Sequence, residues 1–274
     1  AKALAVRKVT TNKGKNTPGV DKELWKTPAA KMRGVLTLTD RGYKAKPLRR
    51  VFIKKPGKKA KRPLGIPCMY DRAMQALYAL ALDPVAETTA DTASFGFRKG
   101  RSAQDACEYI FTVLCQKVSA QWVLEGDIKG CFDHISHGWL IENIPMDKSV
   151  LKQFLKAGFI FQDELFPTEE GTPQGGVISP ILANMALDGI QKVLSDRFHT
   201  NRLGKVDLRF KNARKVNLVR YADDFIVTAA TKEIAEEAKE LIRSFLDTRG
   251  LELSEEKTLI THIDNGFDIL GWTF

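Results

Sequence analysis

The stretch Leu218-Val219-Arg220-Tyr221-Ala222-Asp223-Asp224-Phe225-Ile226-Val227 reads as two apolar strands joined by a turn that carries two adjacent carboxylates. Strand side chains alternate faces, so neighbouring acids normally diverge; a tight turn can bring both toward one place. Carboxylates crowded at a hairpin tip raise one another's pKa unless a cation neutralises them. A hard divalent ion, which prefers carboxylate oxygens and phosphates, is the natural partner. Taken alone, an Asp-Asp pair reads better as a polar turn, because Asp is common in turns. The balance changes upstream, where residues 121–126 (QWVLEG) read as a buried strand delivering Asp127. Three Asp on two neighbouring strands suffice to hold two ions ~3.5–4 Å apart, an arrangement suited to in-line chemistry at phosphorus.

Working outward, the segments near 206–211, 216–221 and 224–230 read as strands, and Pro180–Arg197 as one amphipathic helix. Residues 232–249 predict another helix, ended by Gly250, followed by short strands near 251–253, 257–263 and 267–274. Toward the N-terminus, Arg49–Lys55 alternates in strand fashion, turns at Pro56-Gly57 and returns over Arg62–Ile66. Asp71–Ala90 carries a helical face of Met74, Leu77, Tyr78, Ala81, Leu82 and Val85, with Pro84 as a kink. Ser102 is placed to cap a helix over Ala103–Val118, and a further helix fits Ser149–Gly158. Residues 1–48 suggest loop with a short helix or two. The order from residue 121 onward predicts an α+β fold: an antiparallel sheet with helices on one face.

With 274 residues, 43% of them hydrophobic, the chain can bury a sizeable core. No apolar run approaches the ~18 residues of a membrane span, and no signal-peptide stretch opens the sequence. The four cysteines form no C-x-x-C pair, which argues against zinc ribbons and a disulfide framework. His134 and His137 read as ordinary loop or surface histidines. The net charge of +10 is unevenly spread: residues 1–62 hold 20 Lys and Arg against 3 Asp and Glu, residues 192–220 hold 9 against 2, and the remainder is net acidic. Two basic patches on an acidic body suggest a polyanion partner; a solvated charged face is the plainer reading.

Taken together the motifs are specific. NKGKNTPGVD, VFIKKPGKKAKRPLGIP, SFGFRKGRSAQDA, GDIKGCFDHI, GTPQGGVISPILANMAL, YADDFIV, LELSEEKT and ILGWTF resemble, in order, the successive blocks of group II intron-encoded reverse transcriptases over nearly the whole chain. The resemblance implies a right-hand polymerase fold, fingers plus palm, with an antiparallel ferredoxin-like palm sheet and helices packed on it. Fingers would span 1–119 with a return segment at about 145–172, and palm 120–144 and 173–274. The chain ends at ILGWTF, where the family continues into a helical thumb, so weak synthesis is expected of the chain alone.

Carried over by position, the resemblance makes Asp127, Asp223 and Asp224, with the backbone carbonyl of Ile128, ligands of two Mg²⁺ ions, for which Mn²⁺ could substitute; Asp127 and Asp223 would bind directly and Asp224 more peripherally. Asp133 is a decoy that holds its loop. Lys55 and Arg62 would clasp the dNTP triphosphate, Phe132 would exclude a 2′-hydroxyl, Gln174 would pack beside the nucleotide on a Gly175-Gly176 turn, and Lys257 could protonate pyrophosphate. Lys54, Lys58, Lys59 and Lys61, with Arg98, Lys99 and Arg101, would meet template phosphates. Arg209, Lys211, Arg214 and Lys215 would contact group II intron RNA, and Gly271 with Trp272 the primer end. The implied activity is RNA-directed DNA synthesis from a DNA primer on an RNA template, with a maturase role in splicing and support of intron mobility. The implied location is the cytoplasm or an organelle, on nucleic acid. A non-enzymatic splicing factor and an RNA-dependent RNA polymerase are the rival readings; retron-type enzymes are a nearer alternative of the same chemistry.

Overall fold

A computed structural model describes residues 1–54, 61–201 and 203–274. In chain order the first elements are α1 (Lys2–Thr11), α2 (Pro28–Thr37), β1 (Leu48–Lys54), β2 (Lys61–Ile66) and α3 (Met69–Thr88). There follow α4 (Ala103–Leu114), β3 (Trp122–Asp127), α5 (Cys131–His134), α6 (His137–Asn143), α7 (Lys148–Leu155), β4 (Phe159–Phe161) and β5 (Glu164–Phe166). The last part holds α8 (Ser179–Leu187), α9 (Ile190–Phe198), α10 (Leu208–Arg214), β6 (Asn217–Tyr221), β7 (Asp224–Ala229), α11 (Lys232–Asp247), β8 (Leu259–His262), β9 (Asp268–Ile269) and β10 (Trp272–Thr273). Two compact units result, one of residues 1–88 and 132–183, the other of 89–131 and 184–274.

The first unit is built on a sheet of order β2-β1-β4-β5. β1 and β2 pair antiparallel from Arg49↔Ile66 to Lys54↔Lys61, as the alternation predicts. Helix α3 runs through Pro84 unbroken; of the expected stripe Met74 and Leu82 are buried, but the buried face extends beyond it to polar residues. Val85 is 41% exposed, whereas Asp71, Arg72 and Gln75 are buried. Each polar head is satisfied inside. The Tyr43 hydroxyl and the Lys46 amide donate to Asp71, the Arg72 guanidinium donates to the carbonyls of Gly14, Thr17 and Pro67, and Gln75 Oε1 accepts from the Val177 amide. A helix can bury its polar side when loops supply every partner. His137 also lies inside, its Nε2 2.8 Å from the Gly171 carbonyl, which corrects its reading as a surface histidine.

The second unit carries a four-stranded antiparallel sheet of order β6-β7-β3-β8. With β3 first and β8 last in sequence, this is the split βαβ order of ferredoxin-like sheets. Val123 and Leu124 are both buried, as are Phe225 through Ala229, so both sheet faces are covered rather than one. Ala106 and Ile110 of α4 pack with Val123, Val219, Ile226, Phe267 and Ile269. Ser102 caps α4 through a reciprocal capping box with Asp105, although the helix stops at Leu114.

Two further expectations are overturned here. The single helix over 180–197 is two, α8 and α9, because Gly189 takes φ +108° and Asp91 receives the amides of Gly189 and Gln191, capping the second helix from outside. The strand expected near 206–211 is instead helix α10: the Asp207 carboxylate accepts from the Arg209 amide and starts a helical turn that ends at Lys215 with φ +54°. Cap chemistry overrides the alternating pattern there. Near 251–253 only an isolated bridge, Ile128↔Leu253, forms. The described cysteines are free thiols, and no helix among the described residues is long and apolar enough to cross a membrane.

Candidate active site

Pairing of β3 with β7 places Asp127 directly opposite Asp224, and pairing of β6 with β7 closes the hairpin at Tyr221↔Asp224. Ala222 and Asp223 are therefore the turn itself. Ala222 has φ +59°, the left-handed conformation that the first position of a primed hairpin turn requires and that a residue with a Cβ adopts reluctantly. The ladder thus aligns Asp127 and Asp224 on adjacent strands, and the turn adds Asp223 beside them.

Partial burial, then repulsion by Asp223 and Asp127, push the Asp224 carboxyl up to about 6, although its side chain stays open to solvent; Lys257 pulls the other way. Lys257 Nζ lies 2.9 Å from Asp127 Oδ2, and that hydrogen bond holds the ammonium above the usual lysine range. Among the described residues no group of three His, Cys, Asp or Glu converges closely enough to hold a metal ion. The Lys257 ammonium neutralises Asp127 through their contact. The donor set fits a hard cation: carboxylates with oxygens exposed at a hairpin tip, one of them destabilised by the charge of the others. Ile128 is buried next to Asp127 and bridged to Leu253. Glu125, Asp127, Asp224, Lys257 and Asp268 line a cleft of about 220 Å³ beside β9.

The remaining second-unit candidates divide. Gly271 and Trp272 form the bend and return strand of the β9–β10 hairpin, with Trp272 54% exposed. Lys99 is exposed, and Arg101 donates to the carbonyls of Thr92 and Ser94. Arg98 does not face outward: its side chain is 3% exposed and grips both oxygens of Asp188, which corrects its reading as a phosphate contact. On α10, Arg209 pairs with Asp207 and Lys211 is exposed. Arg214 donates to the carbonyls of Arg197 and Phe198, and Lys215 to that of Ser119, so these two brace the fold as well.

In the first unit, Lys54, Lys61 and Arg62 are exposed on the β1–β2 hairpin, while Lys55, Lys58 and Lys59 lie outside the described residues. Phe132 and Gln174 line a cavity of about 320 Å³ together with Arg50 and Asp133. The Gln174 amide nitrogen donates to Asp133 Oδ2 at 2.9 Å, and its backbone carbonyl receives the Gly65 amide. Sequence reading missed Arg50, whose guanidinium stacks 3.8 Å from the Phe159 ring, and Arg220, which is wholly buried under the acidic turn. A charged residue inside the apolar run LVRY was the available signal for Arg220.

The fold is the right-hand fold seen in polymerases, α+β, with Asp127 at the end of β3 beside the β6–β7 hairpin that carries Asp223 and Asp224. The family described as "Reverse transcriptase (RNA-dependent DNA polymerase)" matches residues 53–274, and the "N-terminal domain of reverse transcriptase" matches residues 1–38. The chain belongs to the reverse transcriptase family. It is 32% identical to the group II intron-encoded protein LtrA of Lactococcus lactis subsp. cremoris over 98% of this chain and 54% of that protein. It is 33% identical to protein YkfC of Escherichia coli over 98% of this chain and 78% of that one. A putative COX1/OXI3 intron 1 protein of Saccharomyces cerevisiae is 30% identical over 94% of this chain and 36% of its own length. The chain thus spans about half the length of LtrA. Among solved structures, telomerase from Candida tropicalis superposes with a TM-score of 0.58 at 14% identity, covering 84% of this chain and 43% of that one, a likeness of fold.

Proposed function

We propose that the protein is the catalytic portion of a group II intron reverse transcriptase, joining dNTPs to a DNA primer's 3′-hydroxyl on an RNA template. The observation that carries this reading is the register pair Asp127↔Asp224 with Asp223 in the adjoining turn. Asp127, Asp223, Asp224 and the Ile128 carbonyl would hold two Mg²⁺ ions, with Mn²⁺ as substitute. When bound, such ions lower the pKa of the attacking hydroxyl and neutralise charge on the departing pyrophosphate. Lys257, released from Asp127, carries a proton at the edge of the same cleft and is suited to donate it to the leaving group.

In the first unit, Arg62 with Lys55 would bind the triphosphate, Phe132 would close the space a 2′-hydroxyl needs, and Gln174, steadied by Asp133, would pack against the nucleotide. Lys54 and Lys61 stand directly opposite each other on the ladder. Like charges so paired are destabilising unless an anion lies between or near them, which supports a phosphate contact for these residues and for Lys58 and Lys59. Lys99 and Arg101 would add template contacts, and Gly271 with Trp272 would support the primer end. The fingers-and-palm division, 1–119 with 145–172 against 120–144 with 173–274, belongs to this proposal.

A maturase role, with intron RNA bound by shape and phosphate contacts along Arg209, Lys211, Arg214 and Lys215, is favoured by the intron-encoded relatives and the basic α9–α10 region. Action on nucleic acid in the bacterial cytoplasm or an organelle follows from that role. Primer extension by the full protein tests the reading. Asp223→Asn and Asp127→Asn should each abolish synthesis, and retention of synthesis by either would overturn it.

A further inference from the structure

Beneath the acidic turn lies a buried polar cluster that the proposed chemistry does not use. Arg220, the residue before Tyr221, is 0% exposed. Its Nη2 donates to Asp188 Oδ1 at 2.6 Å, while Nη1 donates to Asn184 Oδ1 at 3.1 Å and to the Ala222 carbonyl at 3.2 Å. Arg98 grips the same Asp188 carboxylate from the other side and is held in turn by Ser94 Oγ. Asn184 donates to the Gly96 carbonyl at 2.8 Å, and a Cβ at Gly96 would stand 2.3 Å from the Ala222 amide nitrogen. Ala222 is thus held from two sides, by a guanidinium on its carbonyl and by a close-packed glycine at its nitrogen. It is also the turn residue with φ +59°.

A buried ion cluster is a poor way to stabilise a core, since apolar side chains of similar volume generally do as well. Its distinctive contribution is direction: the planar fork of Arg220 spans Asp188, Asn184 and the turn carbonyl in fixed geometry, which a lysine cannot reproduce. Resting on the reading of Asp223 and Asp224 as metal ligands, we propose that Arg220, oriented by Asp188 and Arg98, and seconded by Asn184 and Gly96, is the positioning residue of this turn. It holds Ala222 left-handed, and so sets where the two following carboxylates point. A turn released from this clamp relaxes toward ordinary φ and swings Asp223 off its aim.

Direct Mn²⁺ binding to the protein, by electron paramagnetic resonance or calorimetry, tests the proposal without recourse to turnover. Arg220→Lys keeps the charge and loses the fork; Gly96→Ala pushes the turn while leaving the ion cluster whole. Each should weaken Mn²⁺ binding by about 10-fold or more, as loss of outer-sphere support does at other metal sites. Ala222→Gly in the Arg220→Lys background should recover most of that loss, because glycine takes the positive φ unaided. Melting of each variant by circular dichroism, run alongside, confirms that binding is measured on folded protein. Should Arg220→Lys prove unfolded, Gly96→Ala decides alone. Wild-type Mn²⁺ affinity in folded Arg220→Lys or Gly96→Ala overturns the positioning role. Undiminished binding by Asp223→Asn would instead overturn the metal-site reading on which it rests.

Discussion

The Nζ of Lys257 lies 2.9 Å from Oδ2 of Asp127, pairing the strand-end acid with a lysine just ahead of the neighbouring strand β8. The ammonium occupies the flank of the acidic cleft where a divalent ion would bind, so ion and lysine compete for one carboxylate. Lys257→Gln should raise the apparent affinity for Mg²⁺ by roughly 2- to 5-fold while slowing nucleotide addition, since an exposed pair is worth only about 0–1 kcal/mol. Titrating Mg²⁺ against thermal stability, with primer extension in parallel, checks both halves.

Phe132 is half-buried and shares its cavity wall with Gln174 and Asp133. Under the proposed role, Phe132→Ala opens space beside the sugar and raises rNTP incorporation relative to dNTP by about 10-fold or more, a scale of ~1–3 kcal/mol for a pocket contact. Competing the two nucleotides in single-addition assays measures it. An unchanged ratio would remove the gate.

Asp71 supplies a pH dependence of stability. Burial pushes its carboxyl up to about 6, against the opposing hydrogen bonds from Tyr43 and Lys46. The fold therefore keeps a proton that the unfolded chain loses near pH 4, and this group's contribution to stability falls as pH rises from about 4 through about 6, then levels. Relative to Asp71→Asn, the wild type should lose roughly 2–3 kcal/mol across that window. Urea denaturation of both proteins at about pH 3.5 and 7 gives the difference directly.

Ser102 and Asp105 cap α4, which packs on the sheet that carries the acids. Ser102→Ala should lower stability by about 1 kcal/mol. The denaturant midpoint should shift at unchanged m-value, with the Mn²⁺ affinity of the folded protein unaltered.

On α10 only Arg209 and Lys211 combine charge with free surface, since Arg214 and Lys215 also bind backbone carbonyls. Reversal of the two outward charges should weaken intron RNA binding and flatten its salt dependence by about two phosphate contacts. Filter binding across a salt series reads both, and an unmoved slope would exclude this surface.

Local chemistry made much of this protein legible in its sequence. Apolar runs ending in Asp127 and flanking Asp223-Asp224 foretold the strands, and the Ser102 box and the glycine after α11 foretold helix limits, because each signal acts within a few residues. What only the tertiary structure decided involves partners far apart in the chain. Asp91 and Gly189 break one expected helix into two, the loops around Tyr43 and Gly14 draw the polar side of α3 inward, and Asp188 turns Arg98 and Arg220 to the interior. A buried charge is tolerable only where distant groups happen to complete its hydrogen bonds, and no reading of neighbouring residues reveals whether those groups arrive.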